Sequence, residues 1–133
     1  MTATPSSPLS LLKDPTLLKT AGYVNGQWIE GQTTFAVIDP ATGLELAQVA
    51  DLTAADTQHA IDAAEAALPA WRGLTAKQRS QILRRWFDLL TAHQEDLARI
   101  MTAEQGKPLP EAMGEVAYGA SFVEWFAEEA KRC

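Results

Sequence analysis

The repeat of apolar residues along this chain changes once, near residue 51, and nothing else in the sequence constrains the fold as much. Before that point, Leu44 to Val49, "LELAQV", alternates apolar and polar residues with the period of two that a half-covered strand requires. After it, Ile82, Leu83, Trp86, Leu89 and Leu90 recur at spacings of three and four, which draws one stripe along a helix. The chain is therefore expected to place strands first, over roughly residues 22–50, and helices afterwards.

Within the strand region, Tyr23 to Ile29, "YVNGQWI", carries a hairpin signal. Asn25-Gly26 supplies the two positive-φ positions of a type I′ turn between short apolar-flanked arms. Phe35-Ala36-Val37-Ile38 is a further strand candidate. Asp39-Pro40-Ala41-Thr42-Gly43 then turns the chain with residue types suited to it. Together these segments predict a small β meander.

The helical region is punctuated by its caps. Asp51 and Thr53 are both candidate N-caps, with Asp56 in the first turn that follows. Ile61, Ala64, Leu68 and Trp71 share one face of that helix, and Pro69 is expected to end it early because proline removes a backbone donor. Thr75 and Gln78 form a capping box. The stripe it introduces continues through Leu97, Ile100 and Met101, with a break expected at "TAHQED" that puts Glu95 and Asp96 in the first turn of a new helix. Gly106 followed by Pro108 reads as a helix stop, and Pro110 as the next start. On the last helix Met113, Val116, Ala117, Ala120 and Val123 share a side. The count is three or four helices. Trp125 and Phe126 close the last one, and aromatics so placed are expected to lie under a covering segment.

Composition removes several classes of function. Hydrophobic residues make up 47% and charged residues 21%, which excludes general disorder. A net charge of −6 argues against nucleic acid, whose phosphates need clustered cations. Arg84-Arg85, a local basic pair, reads as a solvated helix face. No stretch approaches the ~18 apolar residues of a membrane span, so no membrane association is expected. Residues 1–18 lack the basic start and apolar run of a secretory signal and, being rich in Pro and Ser, read as a flexible N-terminal arm. The single cysteine, Cys133, fits a reducing and hence cytoplasmic setting. His59 and His93 lie too far apart to build a metal site with it.

The same residues offer no reaction centre. Cys133 reads as an incidental surface thiol, His59 and His93 as solvent-exposed, and Glu111 as a favourable charge at a helix start. Gly106-Lys107 precedes a helix, but Pro follows where a phosphate loop has Ser or Thr, so it reads as a joint between helices. No catalytic, cofactor-binding or metal residue is assigned.

The order of these segments resembles the N-terminal portion of the aldehyde dehydrogenase superfamily. It runs "YVNGQWI", "IDPATGLELAQV", the Ala60–Trp71 helix, "TAKQRSQILRRWFDLL", "MTAEQGKPLPEAMGEV" and "SFVEWFAEEAKR". The later segments are most similar to the succinate-semialdehyde dehydrogenase branch, and the likeness covers about residues 20–132. It implies an α/β parent fold with a Rossmann-like NAD(P) domain, a catalytic domain and a β oligomerisation flap. Residues 19–133 would be the opening part of that fold, ending before the cofactor loop and the nucleophilic cysteine. The chemistry implied is aldehyde oxidation through a Cys thiohemiacetal and thioester, with a Glu that activates water. None of those residues matches a position here, and Cys133 does not match the nucleophile. NAD or NADP, a small aldehyde substrate and a homo-oligomer are implied for the full-length parent, while this chain alone is expected to bind no cofactor and to be inactive. Gly114, Tyr118 and Phe122, one turn apart, match the face of the helix that borders the family's substrate tunnel. The competing expectation is a stand-alone helical interaction module without catalysis.

Overall fold

A computed structural model describes residues 7–132. Two single 3-10 turns, Pro8–Leu11 and Pro15–Leu17, lead into strands β1 (Gly22–Val24), β2 (Gln27–Ile29), β3 (Thr33–Ile38) and β4 (Glu45–Asp51). Four helices follow: α1 (Ala54–Gly73), α2 (Ala76–Ala92), α3 (Gln94–Gln105) and α4 (Leu109–Glu129).

β1 and β2 form the expected hairpin, with Asn25 at φ 49° and Gly26 at φ 79°. Tyr23 pairs with Trp28 across it, their ring centroids 4.9 Å apart, and the Lys19 ammonium lies 5.1 Å from the Trp28 ring. β3 and β4 form a second antiparallel pair, with Phe35 opposite Val49 and a bulge between Val37 and Ile38. Its turn is held by Asp39, whose buried carboxylate accepts the Ala41 N–H at 2.8 Å and whose carbonyl accepts the Gly43 N–H at 2.8 Å.

Two expectations need correction. The strands do not make one meander: they form two separate two-stranded ribbons, β1–β2 and β3–β4. Between them the backbone at Gly31 crosses so close to the end of β4 that a Cβ there would stand 2.7 Å from the Asp51 carbonyl oxygen. This crossing separates β2 from β3. Second, α1 continues through Pro69 to Gly73. Proline deletes one backbone bond, and on a helix as exposed as α1 water can take up the freed carbonyl. Residues 7–18, the described part of the arm expected over 1–18, contact the helices at two places. The Pro8–Leu11 turn packs on α3, and the Asp96 carboxylate accepts the backbone N–H groups of Lys13 and Asp14.

The remaining punctuation agrees with the expectation. Thr53 caps α1 in a reciprocal box with Asp56, and Thr75 caps α2 with Gln78. The break between α2 and α3 falls at His93, which is half-buried at that junction rather than solvent-exposed as expected. Gly106 ends α3 at φ 75°.

α4 packs against both α2 and α3. The Gln94 side-chain amide donates to the Met113 carbonyl at 2.9 Å, and Arg84 reaches Glu124 at 3.0 Å. Apart from Ser80 and Asp96, the residues that vanish from the surface of these three helices are alanines: Ala98 and Ala103 on α3, and Ala112, Ala120 and Ala127 on α4. Small side chains let the helix backbones approach closely. Among the described residues no large side chain is fully buried, and Ile61, Leu68, Ile82, Trp86, Leu89, Trp125 and Phe126 are all exposed. Large apolar side chains concentrated on surfaces of this extent mark a face that another element covers.

Candidate functional site

Three of the residues singled out from the sequence share a face of α4. Gly114, Tyr118 and Phe122 follow one another at intervals of four, so the helical repeat stacks them along one line. Tyr118 and Phe122 meet edge to face, their ring centroids 4.9 Å apart. They are 67% and 49% exposed. The Ser121 hydroxyl donates back to the Tyr118 carbonyl at 2.7 Å. A Cβ at Gly114 would meet nothing within 4 Å, so the line opens onto free space at that end. One further turn along lie Trp125 and Phe126, which with Ser121, Phe122 and Arg132 border an open hollow of about 660 Å³.

Two ion pairs fix this face relative to its neighbours. Glu124 binds Arg84 of α2, and Glu115 binds Lys107 in the loop before α4. Arg84 also stands 4.8 Å from the Phe87 ring centroid. Lys107 is thus a joint between the α3–α4 connection and α4, as expected. The face as described is aromatic with charged flanks.

The side chain with the largest shift in acidity lies away from this face. Glu95 on α3 is pushed down to about 2, chiefly by hydrogen bonds from Lys13 and Arg99. The Asp56 carboxyl is lowered by its cap bonds to Thr53, and that of Glu128 by its bond to Lys131. His59 is exposed on α1, remote in sequence and element from His93. Among the described residues no group of three or more His, Cys, Asp or Glu side chains is placed to hold a metal ion. Cys133 lies outside the described residues.

Two features escaped the sequence reading. One is an open groove of about 550 Å³ between α2, α3 and α4, floored by Leu90, Leu97, Met101, Val116, Ala120 and Val123. Its residues were legible as stripes; that three stripes converge without closing was not. The other is the Asp96 contact with Lys13 and Asp14, which spans 82 to 83 residues and leaves no local signal.

The aromatic face, the groove and the alanine contacts belong to a known architecture. The profile of the aldehyde dehydrogenase family matches residues 28–133, and the chain belongs to that family. The chain is 57% identical over 123 residues to a glutarate-semialdehyde dehydrogenase of Pseudomonas putida, covering 91% of this chain and 26% of that protein. It is 54% identical over 123 residues to an NADP-dependent succinate-semialdehyde dehydrogenase of Escherichia coli, with the same shares of 91% and 26%. Its structure superposes on the crystal structure of succinate-semialdehyde dehydrogenase from Burkholderia pseudomallei with a TM-score of 0.88 at 56% identity, covering 92% of this chain and 26% of that one. The fold is therefore the N-terminal part of the aldehyde dehydrogenase fold, mixed α/β, and the chain spans about a quarter of the length of these relatives. Family membership sets aside the stand-alone interaction module. No helix among the described residues is long and apolar enough to cross a membrane.

Proposed function

We propose that this chain is the opening quarter of an NAD(P)-dependent semialdehyde dehydrogenase. The complete protein would convert a short aldehyde bearing a distal carboxylate, such as succinate semialdehyde, to the diacid. In the balanced reaction, aldehyde, water and NAD(P)⁺ become carboxylic acid, NAD(P)H and a proton. The reading is carried by one observation: identity above half, over 123 residues, to enzymes named for glutarate and succinate semialdehydes.

The residues in hand do not fit a dinucleotide. Gly106 is closed off by Pro40, whose Cγ would lie 3.0 Å from an added Cβ. Lys107 is engaged by Glu115, and Pro108 and Pro110 remove amide donors where α4 begins. A helix start stripped of N–H groups is a poor phosphate cradle. The cofactor, the reacting thiolate and the water-activating base are assigned to the rest of the protein. This chain contributes a scaffold and, through Gly114, Tyr118 and Phe122, one wall of the substrate approach. Rigid aromatic walls exclude water and orient a short substrate without titrating. A cytoplasmic homo-oligomer completes the proposal.

The test is a steady-state assay of the complete protein with NAD and with NADP. Succinate semialdehyde, glutarate semialdehyde and uncharged butyraldehyde are the substrates. The carboxylated aldehydes are expected to lead in kcat/KM by about tenfold or more, the scale of one charge-assisted contact. Equal or better use of butyraldehyde would sink the substrate assignment. The 133-residue chain alone should produce no NAD(P)H above blank.

A further inference from the structure

The segment ahead of β1 is bonded to both halves of the molecule. At one end, Asp96 of α3, only 3% exposed, accepts the Lys13 N–H on Oδ1 at 3.0 Å and the Asp14 N–H on Oδ2 at 2.8 Å. At the other end, the Thr20 carbonyl accepts the Ala50 N–H of β4 at 2.8 Å. Between them, the Asp14 carboxylate caps the Pro15–Leu17 turn through the Thr16 N–H at 3.0 Å and hydroxyl at 2.6 Å. We propose that residues 7–21 are a strap that fastens the β ribbons to the helical bundle, and that Asp96 is its latch.

Few other contacts join the two halves. β1 touches α1, but α1 has no buried residue and is itself a weak anchor. Pro40 rests against Gly106. The strap, by contrast, packs on α3 through the Pro8–Leu11 turn and bonds to it at Asp96. At about 100° per residue, Asp96 and Ala103 lie about 20° apart around that helix, on the strap side. Ala98 lies about 160° from Asp96 and about 140° from Ala103, towards the side from which Gln94 reaches α4. α3 is thus held from two directions, and one of them is the strap.

Asp96 is chemically matched to the task. An ionised carboxylate is acceptor-only, and here each oxygen meets one N–H. An asparagine keeps the shape but turns an NH₂ donor towards one of those amides. A buried N–H left without an acceptor is costly, so the latch should open. Lys13 Nζ binds Glu95 at 2.6 Å and Arg99 binds Glu95 at 2.7 Å, but these pairs sit near solvent and contribute little to closure.

The test is limited trypsin digestion of the 133-residue chain, with fragments read by mass and helix content by circular dichroism. D96N should be cut after Lys13 and Lys19 about tenfold faster than the unsubstituted chain, with helix content retained. E95Q should be cut within about twofold of it. Cleavage of D96N at the unsubstituted rate would overturn the latch. So would loss of helix content in D96N together with strap cleavage, since Asp96 would then hold the bundle rather than the strap. A chain beginning at Gly22 supplies the second measurement: retained helix content supports a separable strap, and collapse overturns it.

Discussion

α1 and α3 are both well-signalled helices, yet they end in opposite conditions. α1 has 20 residues, a reciprocal capping box and an alanine-rich interior, and none of its residues is buried. Ile61, Leu68 and Trp71 stand 37–55% exposed along its apolar face. α3 has 12 residues and no side-chain cap bond, and only Glu104 and Gln105 of it are exposed. Local signals start and stop a helix, but neighbours decide whether its face is covered. α3 has two neighbours, α4 and the strap, whereas α1 leaves its apolar face to be met by other parts of the family fold.

The largest effect expected from this contrast comes from added bulk. Ala98→Leu, at a fully buried point of α3, should cost about 1–3 kcal/mol in urea unfolding, as overpacking does. The same change at the exposed Ala64 of α1 should stay within about 0.5 kcal/mol. Equal costs at the two sites would erase the distinction between the helices.

A smaller effect, and one that depends on context, is expected at the end of α4. Trp125 is 62% exposed in this chain, so Trp125→Ala should change its stability by no more than about 0.5 kcal/mol. In the complete protein, where this face is expected to be covered, the same substitution should cost about 3–5 kcal/mol. A large loss in the isolated chain would mean that Trp125 already packs within it.

The finest distinction concerns acid. Glu95 has its carboxyl pushed from the ordinary 4.5 to about 2 by Lys13 and Arg99. A depressed carboxyl stabilises the folded state above its ordinary value, and that contribution is lost as pH falls towards the folded one. The Lys13–Glu95–Arg99 cluster should therefore persist at neutral pH and loosen between pH 4.5 and about 2. Carboxyl NMR checks this directly: a Glu95 midpoint near 4.5 would show that the cluster does not form in solution.

Features governed by a few neighbouring residues were legible in advance. The Asn25-Gly26 turn, the boxes at Thr53 and Thr75, and the Gly106 stop each depend on chemistry within four residues. The line of Gly114, Tyr118 and Phe122 follows from helical spacing, while the tunnel wall proposed for it rests on the family resemblance alone. The misreadings were of another kind. Pro69 deletes one backbone bond, but solvent around the exposed α1 receives the freed carbonyl, so the helix continues. The meander assumed that sequential strands pair, whereas the crossing at Gly31 separates β2 from β3. Asp96 read as a helpful charge at a helix start, because its partners lie more than 80 residues away.

What belonged to the amino-acid order alone, then, was the list of elements, their ends and which side of each is apolar. Those properties arise from backbone geometry and contacts a few residues long. Which apolar sides are covered, which ribbons pair, and that a carboxylate on α3 fastens the start of the chain were decided by the tertiary structure. Such outcomes depend on surfaces meeting across the whole chain, and no local pattern encodes the distance between them.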